Sequence, residues 1–233
     1  MRRLLKRLRY LLARQSGLRL EPRTSDPGSS SRNDRTGVSR IYVPSANGGA
    51  LRQGEILTGV VQAVVGLGTR LADVSELRVN LKAHPYAVVV TQDCDLDWDF
   101  KTRQETPDEP ESSSPKTVPN ILLCEVDTAE RLRKDFNTKT WNQVKTNKNE
   151  RYHFLQKIGP EEDLHAQGLP ELAVDFKRYF TLPTGELYYR IQSGEARRRC
   201  RLGTPYVEHF AQRFHFFQSR IALPAEHESE PSG

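Results

Sequence analysis

Apolar and polar positions fall into short runs along most of this chain, and each run predicts an element. Glu55 to Val65 (EILTGVVQAVV) is apolar and β-branched and reads as one or two strands, with Gly59 as a bend or bulge. Tyr86 to Gln92 reads as a central strand. It runs into Asp93, Asp95, Asp97 and Asp99, so it is expected to deliver carboxylates into the loop beyond its end. Asn120 to Val126 reads as the next strand, after which Asp127 and Glu130 have the spacing of a capping box opening a short helix. Arg151 to Leu155 and Leu172 to Leu182 alternate as half-buried strands do, and Gly185 suggests a hairpin turn into Leu187 to Ile191. The clearest helix is the last. Thr204 and Pro205 open it, Val207, Phe210, Phe214, Phe217 and Ile221 recur at three- and four-residue spacing, and Pro224 ends it.

Between these runs lie segments with little apolar content. Residues 2–15 place Leu4, Leu5, Leu8, Leu11 and Leu12 on one face of a cationic amphipathic helix, and Ser25 to Arg40 has the composition of a disordered linker. The N-terminal segment fits a membrane-surface anchor, an organelle transit peptide, a nucleic-acid arm or an extension that never packs. Gly66-Leu67-Gly68 is turn material, and a short helix is expected near Leu71 to Leu77. Lys101 to Pro119, with four prolines and three adjacent serines, reads as a mobile excursion between two strands. The expected organisation is a basic tail (1–40), one α+β domain (41–224) and an acidic tail (225–233).

Charge changes this picture once it is divided. The 233 residues carry a formal net charge of +5. Residues 1–40 hold eleven Lys/Arg against three Asp/Glu, a balance of +8, which leaves −3 for the remaining 193 residues. The basicity belongs to the tail, so nucleic-acid binding by the domain has to rest on a local patch. No window approaches the length of apolar sequence that a membrane span needs. Three widely spaced cysteines (Cys94, Cys124, Cys200) form neither a disulfide framework nor a zinc motif and suit a reducing, cytoplasmic compartment.

Three groups of residues could carry chemistry. Asp93, Asp95 and Asp97 have the donor type that a divalent cation requires, while the alternative is that they cap loop amides and protect a strand edge. Cys94 lies between two carboxylates, which oppose thiolate formation, and alternation points it into the core as a structural residue. Arg197, Arg198, Arg199 and Arg201 form the densest basic run of the domain, with Tyr188, Tyr189 and Tyr206 nearby to stack on bases. The alternative there is a solvated turn before the last helix.

Residues 51–126 resemble the MazF/PemK family of SH3-like β-barrels, which includes many bacterial toxin endoribonucleases. Arg52-Gln53-Gly54-Glu55-Ile56 is similar to that family's RGDI-like first strand, and His84-Pro85-Tyr86-Ala87-Val88-Val89-Val90 to its second. The resemblance implies a small SH3-like barrel core with the C-terminal helix added to it. It places His84 where the family has its catalytic arginine and leaves Thr128 nearest to the catalytic Ser/Thr position. The acidic run 93–99 and the long C-terminal extension are departures from the family.

The function expected from all this is a non-catalytic binding or accessory component of a bacterial multi-protein system, of a defence or mobile-element type, with a protein partner and RNA or DNA as a second candidate partner. A MazF-like, metal-independent ribonuclease using His84 and Thr128, or arginines of 197–201, is the first alternative. A metal-dependent nucleic-acid or phosphate enzyme using Asp93, Asp95 and Asp97 is the second.

Overall fold

A computed structural model describes residues 40–66, 79–105 and 114–221. The expected amphipathic helix at 2–15, the linker, the short helix near 71–77 and the acidic tail lie outside these residues. The described elements belong to one compact unit that begins at Val38.

Seven strands of the described residues form one antiparallel sheet: β1 (Tyr42–Pro44), β2 (Glu55–Val65), β3 (Val79–Val89), β4 (Asn120–Thr128), β5 (Tyr152–Leu155), β6 (Leu172–Pro183) and β7 (Arg197–Leu202). Their spatial order is β1-β7-β2-β3-β4-β6-β5. The end strands β1 and β5 do not pair with each other, so the sheet is not closed among the described residues. Among the described residues five α-helices accompany it: α1 (Asp93–Glu105), α2 (Ala129–Lys134), α3 (Thr138–Lys145), α4 (Thr184–Ser193) and α5 (Tyr206–Gln218). The class is therefore α+β.

Strand alternation sends apolar side chains to both faces, and both faces are covered. Ile56, Val88, Cys124, Val174 and Phe176 share one core with Phe210 and Phe217 of α5. Leu57, Ala87, Val89, Leu123 and Phe180 share the other with Leu96 of α1 and Leu187 of α4. A third cluster joins Ala129, Trp141, Val144 and Tyr152 around α2 and α3. Gly59, at φ +73°, bends β2 where the chain entering β7 crosses it. A Cβ there would sit 2.7 Å from the Glu195 carbonyl oxygen, so no other residue fits.

Four local expectations are corrected. The aspartate run is helical, starting at Asp93. Asp93 and Asp95 occupy its first turn, where carboxylates complement the exposed N–H groups, and Asp97–Lys101 and Asp99–Arg103 pair one turn apart. Thr128, not Asp127, caps α2, its hydroxyl accepting from the Arg131 N–H while Asp127 remains in β4. Residues 184–193 form α4, which ends on left-handed Gly194, instead of a hairpin. Arg197 to Arg201 lie in strand β7, not in a turn. The strands at 120–128, 152–155 and 172–183 and the helix at 206–218 follow the sequence pattern. Ile221 falls beyond α5 and is 92% exposed, so the stripe closes at Phe217.

Candidate functional site

Half of the β2–β3 hairpin extends past the ends of its neighbours β7 and β4. β2 pairs with β7 only over Glu55–Thr58, and β3 with β4 only over Tyr86–Val89. From Val60↔His84 to Val65↔Val79 the two strands pair with each other and, among the described residues, with no other strand. Opposed residues of an antiparallel pair project to the same side. Val61, Ala63 and Val65 therefore share a face with Ala83, Leu81 and Val79. Every residue of that face is apolar, and Leu81 is 72%, Val79 56% and Val65 48% exposed. The other face carries Gln62, Lys82 and Asn80 with Val64.

At the foot of the hairpin a cleft of about 460 Å³ opens beside β3, β4 and α2. His84 and Thr128, distant in the chain, both line it. His84 is buried. Its ring stacks on Phe180 with centroids 3.9 Å apart and planes 8° from parallel. Its Nε2 lies 3.4 Å from Gln62 Oε1 and its Nδ1 3.6 Å from Glu125 Oε1. Burial lowers its pKa against the pull of the Glu125 carboxylate, with Lys82 adding to the lowering, so the ring is neutral near pH 7. The Thr128 hydroxyl is engaged as the cap of α2.

Glu125 organises the charges here. It pairs with Lys82 and lies 3.7 Å from Arg178 Nη1, while Asp175 accepts from Arg151 at 2.8 and 2.6 Å. Arg131 pairs with Asp127 at 3.2 Å. The lining holds three cations, Lys82, Arg131 and Arg178, against four carboxylates, Glu125, Asp127, Asp135 and Asp175. With His84 neutral, the cleft carries an acidic balance, which opposes a polyphosphate backbone.

The acidic run does not assemble a site. A helix turns each residue by about 100°, so alternate positions diverge where a strand would align them. Asp93 accepts from Arg52 Nη2 at 2.8 Å and from the Gln53 N–H at 2.6 Å, Asp97 pairs with Lys101 at 2.5 Å, and buried Asp99 accepts from Arg103 Nε at 2.8 Å and the Val118 N–H at 2.7 Å. Among the described residues no three His, Cys, Asp or Glu side chains converge as a metal would require. Cys94 is exposed on α1 instead of buried, because the helix turns it away from the core that Leu96 enters. Cys124 and Cys200 are the buried thiols, and burial raises the pKa of both.

The basic run is divided by burial. Arg198 and Arg199 occur in sequence on opposite faces of β7. Arg198 donates from Nε and Nη2 to Glu55 at 2.6 and 2.9 Å and to the carbonyls of Gly48, Gly49 and Ala50. Arg199 donates to Asp163 at 2.9 and 2.6 Å and to the Gly168 carbonyl. Burial raises the Asp163 pKa, but Arg199 and the N–H groups of His165 and Gln167 outweigh it and hold the carboxyl at about 2. Only Arg197 of this run is exposed, with Arg201 half-buried, so the expected phosphate grip is not assembled. No helix of the described residues is long and apolar enough to cross a membrane.

No family model, no curated protein and no solved structure matches the chain.

Proposed function

We propose that this protein is a non-catalytic binding component of a multi-protein assembly and that it holds a protein partner on the β2–β3 hairpin. The observation that carries this reading is the apolar face formed by Val61, Ala63, Val65, Val79, Leu81 and Ala83 on a hairpin whose two edges are unpaired among the described residues. A two-stranded ribbon is marginal by itself in water, and an exposed apolar face with open edges suits a partner that covers the face or extends the strands. Each Val or Leu side chain so covered contributes about 1.5–3 kcal/mol. Three of the candidate catalytic groups have structural duties: His84 is stacked and buried, Thr128 caps a helix, and Asp93 ties α1 to the Arg52 guanidinium and the Gln53 backbone N–H.

The finer fold reading is an SH3-like core. What supports it is the strand order: β2, β3, β4 and β6 follow one another as a meander, and β7 returns to the free side of β2. The bacterial defence or mobile-element setting follows from the MazF/PemK resemblance, and the cytoplasmic placement from the free thiols Cys94, Cys124 and Cys200.

A MazF-like ribonuclease is the second reading, favoured by the meeting of His84 and Thr128 in one cleft. One set of measurements separates the readings. A photo-crosslinker placed at Leu81 in cells should capture one protein stoichiometrically, and Leu81→Lys/Val79→Lys should abolish that complex without moving the melting temperature. The purified full chain should leave RNA intact with and without EDTA. Cleavage that survives EDTA and disappears in His84→Ala would replace the binding reading with the ribonuclease. Cleavage lost both to EDTA and to Asp93→Asn/Asp95→Asn would revive the metal-dependent enzyme.

A further inference from the structure

Away from the cleft, three separate segments bring cations and exposed aromatic rings together at the end of α5. Two adjoining hollows of about 470 and 280 Å³ share Phe217 and Arg220, and neither shares a lining residue with the cleft. The loop before β5 supplies Lys148 and Arg151, β6 supplies Lys177, and α5 with the residue pair after it supplies Arg213 and Arg220. Against these five cations the lining holds one carboxylate, Glu150, which lies 3.5 Å from Arg220 and is itself 77% exposed. Arg151 is answered by Asp175 beneath it. Lys148 and Lys177 have no carboxylate partner among the described residues.

Arg213 adds a cation with no counter-charge among the described residues. Its guanidinium clasps the loop before β5 and donates only to neutral acceptors: Asn147 Oδ1 at 2.8 Å, His153 Nδ1 at 3.0 Å, the Tyr152 carbonyl at 3.1 Å and the Asn149 carbonyl. A positive centre is thereby held at the floor of the smaller hollow by geometry alone. The residues beyond position 40 sum to −3, so this concentration of positive charge runs against the average of the domain.

The aromatic rings lie on the same ground. Phe216, in the last turn of α5, is 63% exposed, and Tyr179 on β6 is 51% exposed with its inner edge against Phe214 at 6.3 Å. Phe217 between them is buried and carries the Arg220 guanidinium over its ring at 3.8 Å. Cations that track a phosphate backbone, with ring faces open on either side of them, are the two requirements for holding an unpaired strand. A duplex offers its phosphates but keeps its base faces stacked. An acidic peptide would use the cations and leave the rings unoccupied.

We propose that the joined hollows around Phe217 and Arg220 bind single-stranded nucleic acid, with Lys148, Lys177 and Arg220 on the phosphates and bases stacked on Tyr179 and Phe216. The site is independent of the hairpin and of the cleft, so it stands or falls apart from the reading above.

The test is fluorescence anisotropy of the full chain with a labelled oligouridine, with the matching oligothymidine and with a duplex of the same length, across a salt series. The basic N-terminal tail is present in every protein, so variants in the hollow isolate this site from it. Tyr179→Ala and Phe216→Ala should each weaken single-strand binding about 5- to 150-fold, the range for a lost base stack, while Tyr179→Phe, which keeps the ring, binds as the parent does. Lys177→Ala/Arg220→Ala should reduce the slope of log affinity against log salt by about 1.4, as two lost phosphate contacts on a single strand require. All four substituted positions are exposed, and melting temperatures should be unchanged. RNA and DNA arms report which sugar is preferred. Affinity unchanged in the ring variants, a duplex bound as tightly as the single strand, or no binding at low salt each overturns the proposal.

Discussion

Two groups of arginine and lysine on this molecule have opposite fates. The β7 arginines are contiguous in the chain, yet Arg198 and Arg199 are buried against Glu55 and Asp163 and present no charge to a ligand. The cations at the end of α5 are scattered from Lys148 to Arg220 and converge on a surface where carboxylates are outnumbered. Density of charge along a sequence therefore says little about density of charge in space. A charge run inside a strand alternates between faces, and where both faces are core each charge has to find an acid or be excluded.

The strongest way to break the comparison is to remove a buried partner. Arg198→Ala leaves Glu55 unpaired in the core and is expected to cost about 3–5 kcal/mol in denaturant unfolding, whereas Lys177→Ala should stay within about 0.5 kcal/mol. A loss below about 1 kcal/mol for Arg198→Ala would mean that the β7 pair is not the structural element described here. Asp163→Asn should come next, at about 2–4 kcal/mol. It releases Arg199 and weakens the N–H contacts from His165, Gln167 and Gly168 that shape the loop before β6.

Acid sharpens the comparison further. His153 lies beneath Arg213, and burial first, then Arg213 and His209, lower its pKa to about 3. The unfolded chain takes up this proton below about pH 6.5 and the folded chain does not, so stability falls as pH drops from about 6.5 towards 3, by on the order of a few kcal/mol. The lowered pKa values of His84 and His209 act in the same direction. The contribution of Asp163 is lost only lower, as pH falls through the ordinary carboxylate range towards 2. A melting series from pH 7 to 4.5 should thus show a slope that His153→Gln flattens and Asp163→Asn leaves in place. The smallest effect belongs to the acidic helix. Asp93→Asn weakens a partly exposed pair with Arg52 and should cost at most about 1 kcal/mol.

Much of the scaffold was legible in advance. The three- and four-residue recurrence of Phe210, Phe214 and Phe217 marked α5, and alternation marked β5 and β6. Helix α1 is hidden in the sequence because Asp93, Asp95, Asp97 and Asp99 follow a strand directly and read as the loop beyond its end. Its contrary signals were present in the same residues: acids in a first turn, and Asp97–Lys101 and Asp99–Arg103 at helical spacing. Glu186–Arg190 is the same signal in α4. The apolar hairpin face was half visible, since Val79-Asn80-Leu81-Lys82-Ala83-His84 alternates strictly, but which face meets solvent depends on how far the neighbouring strands extend.

Local periodicity and neighbour pairs are properties of adjacent residues, and for that reason the sequence by itself determined strands β2, β4, β5 and β6, the final helix and the separation of a basic tail from a near-neutral domain. The use of each charge was decided by tertiary structure alone. Arg198 finds Glu55 across 143 positions, and Arg213 finds Asn147 across 66. Burial and counter-charge are set by these distant partners, and they decide whether a cation stabilises the core or remains available to a ligand.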